Sequence, residues 1–152
     1  IKAIKDWCND PMLHEKHIRV FQNLPNPVNV LTTHSAWLMS SLVMGASGLL
    51  SGAGSVIAPL QVRLFNAIKN NNLKEAKDIN DKIFPLVQLF YKPPFLDMHN
   101  RMKETLVILN AMKKAVVRPP LMKLPFEEIE ELKNTVNDIN LDNKLNFVKL
   151  VV

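Results

Sequence analysis

Three times within residues 1–70 the chain passes from an apolar, extended run into a helical pattern. No other feature of the sequence constrains the fold as much. Strands separated by helices run parallel, because the helix carries the chain back to the same end of the sheet. The first run, residues 1–7, alternates in part and has no turn former. Asn9-Asp10-Pro11 then supplies a side-chain oxygen for a helix cap and a proline for the first helical position. This predicts a helix to about residue 22, ended by Leu24-Pro25-Asn26-Pro27, since proline cannot continue the hydrogen-bond ladder. Residues 28–31 read as the second strand, with Thr33 or Ser35 capping a helix over residues 36–44 that Gly45 ends. Residues 48–51 read as a very short third strand. The tight loop Ser51-Gly52-Ala53-Gly54-Ser55 leads into a helix ending near residue 70.

The rest changes character. Residues 73–91 read as one long amphipathic helix with a kink at Pro85, and residues 97–109 as another. Pro119-Pro120 is an extended break. Pro125 opens a last helix with Glu127 and Glu128 in its first turn, where the helix dipole favours acids. Three parallel strands do not close a barrel, for which eight over roughly 250 residues is usual. The expected fold is therefore α/β: the last three βα units of a (β/α)8 TIM barrel over residues 1–70, a helical extension over 71–140, and a tail, 141–152, that is either a strand or irregular. The abrupt, strand-like start at Ile1 leads to an expectation of further residues upstream.

Charge and composition narrow the function. Lys and Arg number 19 against 14 Asp and Glu, a formal charge of +5 that favours attraction to anions. The basic residues are scattered and aromatics make up 7%, so no nucleic-acid surface is expected. With a single cysteine, Cys8, neither an internal disulfide framework nor a cysteine-based zinc site is expected, which fits a cytoplasmic setting. No apolar run approaches the roughly 18 residues of a spanning helix. The longest candidate, residues 43–60, is broken by four glycines and a proline, and no signal-peptide layout is seen, so no membrane partner is expected.

Several side chains are placed where chemistry occurs. Alternation puts Ala3, Lys5 and Trp7 on one face of the first strand and Ile4 on the other. Active residues of barrels come from the C-terminal strand ends. A desolvated lysine there can attack a carbonyl as the neutral amine; the competing reading is a strand-end lysine that snorkels to water. The amides of the Ser51–Ser55 loop either hold an anion or reflect close backbone approach at the glycines. His14 and His17, three apart on a helix, have metal-ligand spacing, but no carboxylate is evident beside them and a solvated face is expected. His34 ends the second strand, where it either meets a substrate hydroxyl or serves as a structural hydrogen-bonding group. Ser35 lacks a GxSxG context. The methionines recur at core spacing, Glu127, Glu128, Glu130 and Glu131 read as a solvated face, and Cys8 as a small buried residue.

Taken in order, Ile4-Lys5-Asp6, Thr32-Thr33-His34-Ser35, Gly45-Ala46-Ser47-Gly48-Leu49-Leu50-Ser51, Asn72-Leu73-Lys74-Glu75-Ala76 and Arg118-Pro119-Pro120-Leu121 resemble the C-terminal half of the dihydrodipicolinate synthase / N-acetylneuraminate lyase family, over about residues 2–138. The resemblance implies a class I lyase, an aldolase or dehydratase acting on pyruvate-type 2-oxo acids, with no metal or organic cofactor, and a homo-oligomer. Lys5 matches the Schiff-base lysine of the family's G-[IV]-K-[DE] strand. Thr32, Thr33 and His34 stand where many members line the distal end of the substrate. Leu50 matches the position whose carbonyl borders the pyruvate-derived moiety, and Lys103 a lysine of the helical extension.

Departures bear on the substrate. Ala3 replaces the glycine before the Ile-Lys pair, Asp6-Trp7-Cys8-Asn9 replaces a small polar run, His34 an acidic or small residue, and Ser55 a common asparagine. They point toward a sugar-acid-derived substrate rather than aspartate semialdehyde. The family's Gly-Thr-Thr-Gly carboxylate loop and Tyr-Asn-x-Pro relay tyrosine belong to the other half, so these residues alone are expected to be inactive. The second hypothesis is a non-catalytic binding or assembly module derived from the barrel, which covers its strand edges by self-association.

Overall fold

The computed structural model describes residues 1–141, which form two compact units, Ile1–Phe84 and a second beginning at Pro85. The reading of the tail falls, from residue 142 on, outside the described residues.

The first unit carries a three-stranded sheet: β1 (Ala3–Asp6), β2 (Asn29–Thr32) and β3 (Gly48–Leu49), in the order β1-β2-β3 and parallel throughout. Helix α1 (Pro11–Phe21) follows β1; a 3-10 turn (Ser35–Trp37) and α2 (Leu38–Val43) follow β2; α3 (Gly54–Lys69) follows β3. Each helix has a physical start and stop. Asp10 caps α1, its side chain accepting from the Met12 and Leu13 amides, with Pro11 in the first turn. Gly45, at φ +107, ends α2: its amide bonds Leu42 O and that of Ala46 bonds Ser41 O, a Schellman arrangement. Asn71, Asn110 and Asn140 hold the same position after α3, α5 (Met98–Ile108) and α6 (Phe126–Asp138), each with positive φ. Neither Thr33 nor Ser35 caps α2, which has no side-chain cap; the 3-10 turn takes up the chain reversal instead. Non-helical dihedrals interrupt α3 at Ile57, two residues before Pro59, whose missing N–H breaks the ladder.

The sheet has two unlike faces. In parallel register, Ile4, Val30, Asp6 and Thr32 pair side by side, as do Lys5 and Leu31. Val30, Asp6 and Thr32 are buried, with α1 and α2 packed against β2. Lys5, Ala3 and Trp7, the alternate set, are exposed. Leu38, Val56, Ile57 and Leu64, each at most 1% exposed, fill the core beneath.

Helix α4 (Leu73–Tyr91) runs on through Pro85 into the second unit, which also holds a 3-10 turn (Phe95–Asp97), α5 and α6. Its centre is Arg101. This fully buried guanidinium donates to the carbonyls of Phe90, Lys92 and Pro93 and pairs with Glu128. A buried cation needs such saturation to offset its lost hydration.

Candidate active site and the buried cluster beside it

The first strand ends in two consecutive residues that serve opposite faces. Lys5 stands in the open, and among the described residues it makes no ion pair. Asp6 turns the other way and is 5% exposed. Its Oδ1 accepts from the Cys8 amide at 3.0 Å, and its Oδ2 accepts from His14 Nδ1 at 2.6 Å and His17 Nδ1 at 3.0 Å. Burial acts to raise the Asp6 carboxyl, but these donors outweigh it and hold the group at about 2.

His14 is fully buried, and its Nε2 meets Ser41 Oγ at 2.7 Å. Its ring stands roughly perpendicular to those of His34 and Trp37, in T-shaped contact with both, and His34 stacks on Trp37 with centroids 4.2 Å apart. His34 Nε2 lies 3.9 Å from Cys8 Sγ. Burial, followed by the neighbouring His14, pushes His34 below its usual range. Burial, with Asp6 alongside, pushes the Cys8 thiol up, so it is not a poised thiolate.

His14 and His17 therefore do not form a solvated face. Asp6 is the carboxylate that their spacing lacked, and it is eight residues from His14 in sequence. Strand alternation was the signal: a residue next to Lys5 must point toward the helices. Ser41, His14 and Asp6 share the atom order of a hydrolase triad, yet Ser41 and His14 have no exposed surface. Without substrate access the constellation is structural.

The other sequence candidates distribute as follows. Thr32 and Thr33 are buried; Thr32 Oγ1 accepts from the His34 amide, and Thr33 Oγ1 has no partner among the described residues. Leu50 is 54% exposed, and its amide continues the ladder to Thr32 O at 2.8 Å. In the glycine loop the amides of Gly54, Ser55 and Val56 bond back to Ser51, Gly52 and Ala53, so they do not converge on an anion. A Cβ on Gly54 would meet Gln61 Oε1 at 3.1 Å, which favours close approach as the reason for the glycine. In the second unit, Lys103 Nζ donates to Val116 O, and Arg118-Pro119-Pro120-Leu121 closes as a turn through Leu121 N and Arg118 O. No described helix is long and apolar enough to cross a membrane.

The model of the dihydrodipicolinate synthetase family matches residues 1–139. The chain belongs to that family. Its curated relatives include 4-hydroxy-tetrahydrodipicolinate synthase 2 of Clostridium acetobutylicum, 24% identical over 146 residues. The alignment covers 96% of this chain and 44% of the relative. The corresponding synthase of Oceanobacillus iheyensis is 22% identical over 139 residues, which are 91% of this chain and 44% of the relative. The chain thus spans under half the length of these family members. Among solved structures, the dihydrodipicolinate synthase of Thermotoga maritima superposes with a TM-score of 0.81 at 18% identity, over 93% of this chain and 46% of that one. YagE, a prophage protein of the family from E. coli K12 solved in complex with pyruvate, gives 0.79 at 22% identity, over 93% and 47%. These likenesses establish the α/β fold of the family, less than half of which is present here.

Proposed function

We propose that these residues are the last three βα units and the helical extension of a class I Schiff-base lyase acting on 2-oxo acids, with Lys5 as the imine-forming amine. The observation that carries this reading is the position of Lys5, at the C-terminal end of β1 on the face opposite the helices, its amine free of ion pairs among the described residues. In a barrel that face is the interior, and the C-terminal strand ends form the reaction site. Five further strands would close the two sheet edges that β1 and β3 leave open among the described residues, and would desolvate the amine.

The chemistry follows from an uncharged amine meeting a ketone. Lys5 Nζ adds to C2 of the 2-oxo acid, and water leaves to give an iminium. The iminium accepts the electron pair released as a proton departs C3, forming an enamine. That enamine either adds to an aldehyde or expels a hydroxide as water; retro-aldol cleavage is the reverse of addition. No metal or organic cofactor is needed for these steps. The Leu50 carbonyl would border the pyruvate-derived moiety. Thr32, Thr33 and His34, all buried among the described residues, would stand near the distal end of the substrate. The pyruvate complex of YagE supports the choice of a 2-oxo acid. The carboxylate loop and relay tyrosine lie outside these residues, so the 152 residues alone should not turn over.

Borohydride reduction in the presence of pyruvate, on protein that carries the complete barrel, tests the reading. A stable adduct on Lys5, absent from Lys5→Ala, is expected. An adduct on another lysine, or none, refutes it. The open sheet edges favour one further reading, an assembly module that self-associates. A clean monomer by light scattering, unfolding cooperatively, would refute that reading.

A further inference from the structure

We propose that Asp6, Cys8, His14 and His34 form a binding site for one tetrahedral divalent metal ion of the zinc class. Each offers a ligand atom, and all four atoms lie within 4.8 Å of one another. Ligand atoms around a tetrahedral zinc stand about 3.3–3.6 Å apart, as follows from bonds of about 2.0–2.3 Å. The Cys8 Sγ to His34 Nε2 separation of 3.9 Å needs little contraction. The Asp6 Oδ2 to His14 Nδ1 contact of 2.6 Å must open by less than an ångström.

The donor set fits the ion. One thiolate, two imidazoles and one carboxylate are a borderline-soft combination suited to Zn2+ and Co2+ rather than to Mg2+ or Ca2+. The surroundings supply what outer partners supply in metal centres. His14 can exchange tautomers without losing a partner: with Nδ1 on the metal, Nε2–H donates to Ser41 Oγ, which accepts as readily as it donates. The Cys8 amide holds Asp6 Oδ1, and His17 Nδ1 meets Asp6 Oδ2 at 3.0 Å. Trp37 fixes the plane of the His34 ring by stacking. Cys8 is half-buried, which leaves a route for entry. On binding, the Cys8 proton leaves to solvent and sulfur gives its electron pair to the metal. Without an ion, the same residues are a closed hydrogen-bond network that pins β1 to α1, and the experiment decides between the two.

Protein stripped with a chelator is titrated with Co2+, followed by absorbance, and with Zn2+, followed by equilibrium dialysis. One equivalent of each should bind. Co2+ should give a thiolate charge-transfer band together with intense visible bands of tetrahedral coordination. Cys8→Ser should abolish the charge-transfer band and weaken binding at least tenfold. His34→Gln should weaken it similarly, and Ser41→Ala by roughly tenfold. His99→Gln, an exposed histidine elsewhere, and Lys5→Ala should leave metal binding unchanged, which separates this site from the lyase reading. Circular dichroism of Cys8→Ser checks its fold. The proposal is overturned by a lack of stoichiometric binding, by binding that survives Cys8→Ser, or by binding that follows His99.

Discussion

Replacing Asp6 by asparagine isolates the charge at the centre of the buried cluster while keeping its shape. The carboxyl is held at about 2 against an ordinary 3.8, and each unit is worth about 1.36 kcal/mol. The ionised group therefore contributes about 2 kcal/mol to folding at neutral pH. The introduced asparagine keeps an oxygen for the Cys8 amide, and His14 can switch tautomer to accept from the new amide group and donate to Ser41. No buried nitrogen is left unpaired, so the loss should stay near the charge contribution. Asp6→Ala, which orphans a fully buried imidazole nitrogen, should cost about 3–5 kcal/mol. The pH dependence has a fixed sign. A carboxyl depressed in the folded state stabilises above its unfolded value, and that contribution is lost as pH falls from near 4 toward 2. Urea unfolding followed by tryptophan fluorescence, with chelator present, measures the gap between wild type and Asp6→Asn from pH 7 to pH 2. The gap should be about 2 kcal/mol at pH 6, or roughly 4–8 °C in Tm, and should narrow toward pH 2. Equal stability at pH 6, or a gap that does not change with pH, would refute the reasoning.

Other substitutions test other parts of the fold. Arg101→Ala should lower stability by about 3–5 kcal/mol in denaturant titrations, and Arg101→Lys should recover little, because one ammonium cannot reach three carbonyls and Glu128 together. Gly45→Ala should cost about 1–2 kcal/mol through its backbone alone, since the added carbon meets Ile18 Cγ2 at an ordinary 3.6 Å. Asn71→Ala should lose about 1 kcal/mol while Asn71→Gly loses nothing or gains several tenths, read from shifts in Tm.

Element boundaries were readable where local chemistry sets them. Asp10 and Pro11 mark the start of α1, Gly45 marks the end of α2, and the acids after Pro125 mark the start of α6. The parallel sheet followed from alternation of strand and helix. What the sequence hid was tertiary. The spacing of His14 and His17 was visible, but their partner arrives from a strand before the helix, and Ser41 from a helix beyond the next strand. Pairing across such separations depends on how α1 lies over the sheet, which no short window encodes. The glycine loop left two readings open, an anion cradle or close backbone approach, and the back-bonded amides of Gly54, Ser55 and Val56 favour the second. Asparagine at the helix ends was a legible signal that only the positive φ values make plain.

The adjacency of Lys5 and Asp6 makes the inner and outer surfaces of the sheet mechanically inseparable. One peptide link joins a residue facing the open side to a residue gripped by α1 and, through His14, by Ser41 of α2. A shift of either helix therefore tugs on the backbone that carries the Lys5 amine. Substitutions on α1 and α2 are thus a remote control for the direction of Lys5, exerted through a tether a single residue long.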